Sequence, residues 1–107
     1  MSKYHPGEVV VVSFPFQEGN QVKTRPALIL SEDAPDEYLL CQITSRNRSA
    51  THKGIWVMKD SSEGKHMCIE TDSFINAEVT AVVNKYAIHK MIGICSHLEQ
   101  ILQMVYE

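Results

Sequence analysis

Apolar residues along the chain gather in short runs separated by polar, glycine- and proline-bearing stretches. The first run, Glu8 to Phe16 (EVVVVSFPF), is β-branched and aromatic, opened by Pro6-Gly7 and closed by Pro15, and reads as a buried strand. A polar loop with Gly19-Asn20 as its turn signal leads to a second strand, Pro26 to Ser31 (PALILS), with Pro26 at its first position, where a missing N–H is tolerated. An acidic turn, Glu32 to Glu37 with Pro35, precedes a third strand, Tyr38 to Thr44 (YLLCQIT). After the polar loop Ser45 to Lys53, further strands are expected at Gly54 to Met58, Met67 to Thr71 and Val79 to Val83, with Asp60 to Gly64 as a turn.

The period changes near the C-terminus. Ser96 followed by Glu99 reads as a capping box, after which Leu98, Ile101, Leu102 and Val105 fall on one face at helical spacing. The polar side of this helix carries no basic residue, so its apolar stripe is expected to pack on the sheet and not on a membrane. Many short strands with frequent turns and one closing helix suggest a mainly β domain, a small barrel or sandwich. At 107 residues, 44% hydrophobic and 21% charged, the chain is expected to be a single domain over residues 1–107 with one core.

Charge changes the picture in its distribution, not its sum. The net charge is −3, an unpromising balance for binding phosphates. Yet two windows, Gly19 to Ser31 and Tyr38 to Lys59, contain no acid and hold Lys23, Arg25, Arg46, Arg48, Lys53 and Lys59. Both flank the same pair of apolar strands and so can converge on one face.

Three cysteines, Cys41, Cys68 and Cys95, are odd in number, far apart and set among apolar residues, and read as buried free thiols. The five histidines form no metal-ligand spacing, and no phosphate-binding glycine loop, GxSxG elbow or dinucleotide fingerprint is present, so no metal and no cofactor is expected. With no signal-peptide pattern and no apolar run of membrane-spanning length, a cytoplasmic protein is expected. What remains is Arg25 at the end of one loop and Thr44-Ser45 at the end of a neighbouring strand. A guanidinium fork matches phosphate oxygens, and a hydroxyl can donate to a nonbridging oxygen as its charge grows.

The stretch Pro6 to Ser45, with its GEVV strand, FPF segment, glycine-containing loop, RPALILS strand and ITS strand end, resembles the N-terminal half of PemK/MazF-family toxins. Ile69 to Ile75 (IETDSFI), Asn84 to Ile94 (NKYAIHKMIGI) and the closing helix are similar to the family's later segments. The resemblance implies an SH3-like or CcdB-like barrel, a homodimer, a small acidic antitoxin as partner, and metal-independent, sequence-selective cleavage of single-stranded RNA through the ribose 2′-OH. The products would be a cyclic phosphate and a free 5′-OH. It carries the family's catalytic arginine onto Arg25 and its catalytic threonine onto Thr44. Ser45 and His52 are possible helpers: arginine titrates too high to act as base, which leaves the 2′-OH proton to another group or to water, and His52 is a candidate from its place in the loop after Thr44. Lys23, Arg46, Arg48 and Lys53 are expected to contact RNA. One departure stands out: where family members often place an arginine after the serine matching Ser73, this chain has Asn76 and Ala77. Two other readings compete, a noncatalytic barrel that poisons a protein target as gyrase toxins do, and a plain RNA-binding barrel. The first lacks a use for Arg25 with Thr44, and the second lacks aromatics around the lone Trp56.

Overall fold

The computed structural model describes residues 3–13 and 24–107. Six strands form one antiparallel sheet: β1 (Glu8–Ser13), β2 (Thr24–Ala34), β3 (Glu37–Thr44), β4 (Gly54–Val57), β5 (Ser73–Asn84) and β6 (Ile88–Ile94). Their spatial order is β4-β5-β3-β2-β1-β6. Two helices, α1 (Ser62–Met67) and α2 (Leu98–Val105), accompany it. The backbone ladder leaves β4 and β6 as its two ends, and α1 packs on β6. Gly93 makes that contact possible, because a Cβ there would lie 2.5 Å from the His66 carbonyl oxygen and the Met67 backbone.

The valine run of β1 and the LIL of β2 are apolar at consecutive positions because both faces of the central strands are covered. Val9, Leu28, Cys41, Ile43 and Ile75 pack with Met67 of α1 and Ile101 of α2 on one face. On the other, Val10, Val12, Ala27, Ile29, Tyr38 and Leu40 pack with Tyr4 and Ile88. Tyr4 and Tyr38 meet edge to face at 5.6 Å, and the Tyr38 hydroxyl accepts from the Lys3 and Tyr4 backbone N–H groups.

The expected mainly β architecture with a C-terminal amphipathic helix is present, and Ile101 is fully buried with Leu98, Leu102 and Val105 packed around it. Several local expectations are corrected. Strand β2 runs on to Ala34, so the acidic turn shrinks to a two-residue hairpin, Pro35-Asp36, with Asp36 at φ 65°. Pro26 is the third residue of β2, tolerated because the ladder to β3 begins only at Ala27. Met67 to Thr71 is no strand. Ser61 caps α1 by accepting from the Gly64 N–H, and Cys68 ends it in the left-handed conformation. Gly64, read as a turn residue, is required because a Cβ would lie 2.2 Å from the Met58 carbonyl oxygen. Strand β5 is longer than Val79 to Val83, and β6 carried no alternating pattern to announce it. The expected capping box is absent: α2 begins after His97, which makes no side-chain cap bond. Cys41 and Cys95 are buried free thiols, whereas Cys68 is exposed at the end of α1. The end of the first apolar run, Phe14 to Phe16, and the Gly19-Asn20 turn lie outside the described residues.

Candidate active site

The site is assembled at one end of the sheet by strand register. Strands β2 and β3 pair as Ala27↔Gln42 and Leu28↔Cys41. The β2–β3 ladder ends at Ala27↔Gln42; Arg25 and Thr44 lie two residues further out on their strands, at the same end of the sheet and, by the two-residue alternation of strands, on the same face. Arg25 also pairs with Val12 of β1, and Thr44 with Phe74 of β5. Phe74 in turn pairs with Trp56 of β4, so Trp56, Phe74 and Thr44 form one row across three strands, with Arg25 at the adjoining end of β2.

Arg25 is exposed and Thr44 half-buried. The Thr44 Oγ1 accepts from the Arg46 N–H at 3.2 Å. One lone pair is thereby used, and among the described residues nothing takes the hydroxyl proton, which stays available to a ligand oxygen. The ion pairs among the described residues are His5–Glu8, Lys53–Glu107 and Lys85–Asp36, so Arg25, Arg46 and Arg48 face solvent without a carboxylate partner there. An arginine fork beside a free hydroxyl donor suits an anionic centre with oxygens on more than one side.

The loop from Ser45 to Lys53 is shaped by its own hydrogen bonds. Asn47 Oδ1 accepts from the Ser49 N–H at 3.0 Å, and the Arg48 carbonyl accepts from Thr51 and His52 at 3.0 and 2.8 Å. Its far end is tied to β5 by a bulge. Cys41 pairs with Thr80 but the next residue, Gln42, pairs with Asn76, so Ala77, Glu78 and Val79 are extra. Bulges re-aim side chains, and here two meet the loop. The Glu78 carboxylate accepts from the Lys53 backbone N–H. Asn76, only 1% exposed, accepts on Oδ1 from the Glu78 N–H at 3.0 Å, and its Nδ2 donates to His52 Nδ1 at 3.0 Å. Because Oδ1 is committed to a backbone donor, the amide orientation is fixed, and the ring nitrogen facing it must be the bare one. The His52 proton then sits on Nε2, which makes the ring's other nitrogen a donor; a base would need it bare.

Of the expected site residues, Arg25, Thr44, Ser45 and Arg46 share one end of the sheet, while Arg48 and His52 lie along the loop that leaves it. Lys53 is engaged, its Nζ 3.0 Å from the Glu107 carboxylate. Lys23 lies outside the described residues. Sequence reasoning missed Asn76 as a holding residue, although the departure at Asn76-Ala77 marked the place. It also missed the pair Ser13 Oγ···His89 Nε2, 2.9 Å apart, on β1 and β6; Ser13 pairs with Thr24, on the face opposite to Arg25. Among the described residues, no three His, Cys, Asp or Glu side chains converge as metal ligands, and no helix is long and apolar enough to cross a membrane.

Comparison with known proteins adds a family and a fold. Residues 5–105 match the family model described as PemK-like, MazF-like toxin of type II toxin-antitoxin system. Among solved structures, the Mycobacterium tuberculosis toxin MazF-mt6 superimposes with a TM-score of 0.61 at 19% identity, covering 92% of this chain and 90% of that one. A search of curated proteins finds no match.

Proposed function

Since the chain belongs to the PemK-like, MazF-like toxins of type II toxin-antitoxin systems, we propose that it is an endoribonuclease that cleaves single-stranded RNA at a phosphate held between Arg25 and Thr44. The observation that supports this reading is that Arg25, with no carboxylate partner among the described residues, and the Thr44 hydroxyl, whose proton no described residue takes, stand at the same end of neighbouring strands. The ribose 2′-OH attacks the adjacent phosphorus and gives up its proton to water, and the P–O5′ bond breaks with the leaving oxygen taking a proton from water, to leave a 2′,3′-cyclic phosphate and a 5′-OH. Negative charge grows on the nonbridging oxygens as the pentacoordinate phosphorane forms. Arg25 donates to that charge from one side and the Thr44 hydroxyl from the other. Arg46 and Arg48, without carboxylate partners among the described residues, extend the positive track for the backbone. No protein nucleophile is needed, in keeping with the residues present. The acidic partner of such a toxin would occupy the same cations.

The test is incubation of the purified protein with a long single-stranded RNA in excess EDTA, followed by mapping of the ends. Discrete cuts bearing cyclic phosphate and 5′-OH are expected. Intact RNA, or cuts bearing 5′-phosphate, would remove the reading.

A further inference from the structure

A cleft of about 420 Å³ opens between the loop after Thr44 and helix α2, lined by Ser49, His52 and Lys53 from the loop and by Gln100, Gln103 and Met104 from the helix. We propose that this cleft is a nucleobase subsite, taking one base of the RNA whose scissile phosphate lies at Arg25 and Thr44. The proposal rests on the ribonuclease reading and adds to it the place where sequence is read.

Three observations carry it. The first is size and place: the volume falls in the ~300–1,000 Å³ range of small-molecule sites, and the loop that forms one wall follows Thr44 in the chain and carries Arg46 and Arg48 before it reaches Ser49. The second is charge. Lys53 is paired at 3.0 Å with Glu107, which also lines the cleft, and the remaining lining groups are two amides, a hydroxyl, a thioether, a glycine and the His52 imidazole. Such a lining attracts no phosphate, whereas the free cations lie nearer Thr44 on the loop; the heterocycle fits the cleft and the backbone fits the track. The third is order. Single-stranded RNA is read on base edges that present donors and acceptors. Gln100 and Gln103 each offer both. His52 offers a donor of fixed tautomer, because the buried Asn76 amide holds its Nδ1 at 3.0 Å. A polar side chain buried to this extent and bonded at both ends leaves the imidazole one orientation, which is what discrimination between bases requires. Met104 supplies a polarizable wall for the base.

The proposal is tested by cutting a randomised single-stranded RNA pool in EDTA with the wild type and with Gln100→Ala, Gln103→Ala and His52→Ala, then sequencing the cut ends. The two glutamines are exposed, so their variants should melt like the parent and remain informative if His52→Ala misfolds. The expected result is loss of preference at one and the same nucleotide position, by about tenfold or more, with preferences elsewhere kept. Asn76→Leu, if folded, should relax the same position. Unchanged preference in the glutamine variants overturns the subsite while leaving the ribonuclease reading intact. A uniform fall in rate with preference intact also overturns it, because it marks these groups as structural. A wild type that cuts no RNA overturns the ribonuclease reading, and the subsite with it.

Discussion

On the proposed mechanism single groups decide the chemistry, because each donor would act on charge that exists mainly in the transition state. Arg25→Ala and Thr44→Ala are each expected to lower turnover at saturating RNA by about 100- to 1,000-fold, as for comparable oxyanion donors, without changing the melting temperature. Arg25→Lys should fail as well, since an ammonium lacks the planar fork. Single-turnover rates in EDTA on variants of matched circular dichroism are the check, and wild-type turnover in Arg25→Ala would remove the site. The thiols differ by burial in the same residue-by-residue way. Burial, and next the neighbouring Cys95, push the Cys41 thiol far above its ordinary 9.0, and burial also raises Cys95. A raised folded-state value means these thiols favour the folded protein fully below about pH 9 and progressively less above it, as the unfolded chain ionises. The urea midpoint should therefore fall between about pH 8 and pH 10.5. Native protein should label rapidly with a thiol reagent at Cys68 alone, the other two reacting only on unfolding.

Elements hold those groups in place through close approaches that tolerate no extra atom. Gly54 opens β4 beneath the Phe74 ring, and a Cβ there would lie 2.1 Å from the Ile75 carbonyl oxygen and 2.5 Å from the ring. Gly54→Ala should displace β4 from β5 at a cost of about 1–3 kcal/mol, and it should relax the Thr44 end of the row as well. Ile101 anchors α2 by complete burial. Ile101→Ala should cost about 2–5 kcal/mol, at about 4–8 °C per kcal/mol for a domain of this size. Thermal melts separate the two: Ile101→Ala should lose stability while keeping measurable cleavage below its midpoint, whereas Gly54→Ala should lose cleavage out of proportion to stability.

At the scale of the whole molecule, the exposed apolar residues Met91 and Ile94 on β6, with Tyr106 after α2, leave surface that one copy does not cover. A homodimer is expected, and sedimentation at micromolar concentration should give about twice the 12.1 kDa of one chain. The net charge of −3 coexists with an arginine track because the acids are placed elsewhere. An acidic antitoxin segment should occupy that track in competition with RNA. Titrating antitoxin peptide against labelled RNA should raise the apparent Kd for RNA in proportion to peptide, and simultaneous binding without mutual weakening would count against a shared surface.

The apolar runs of β1, β2 and β3 and the stripe of α2 were legible in the chain because burial on one or two faces dictates residue type locally, at period two or 3.6. The places of Arg25 and Thr44 near strand ends were legible too, their roles belonging to the proposal. Register was not: only the pairing of β2 with β3 brings the ends that carry Arg25 and Thr44 to the same side of the sheet, and only the bulge in β5 turns Asn76 toward His52. The same holds for α1, six residues long and too short for a periodic signal, which Ser61 and the close packing of Gly64 fix in place. Local sequence determines which face of an element is apolar, because water acts on each residue separately; which side chains meet is decided by contacts between residues far apart in the chain, and these exist only once the sheet has closed its register.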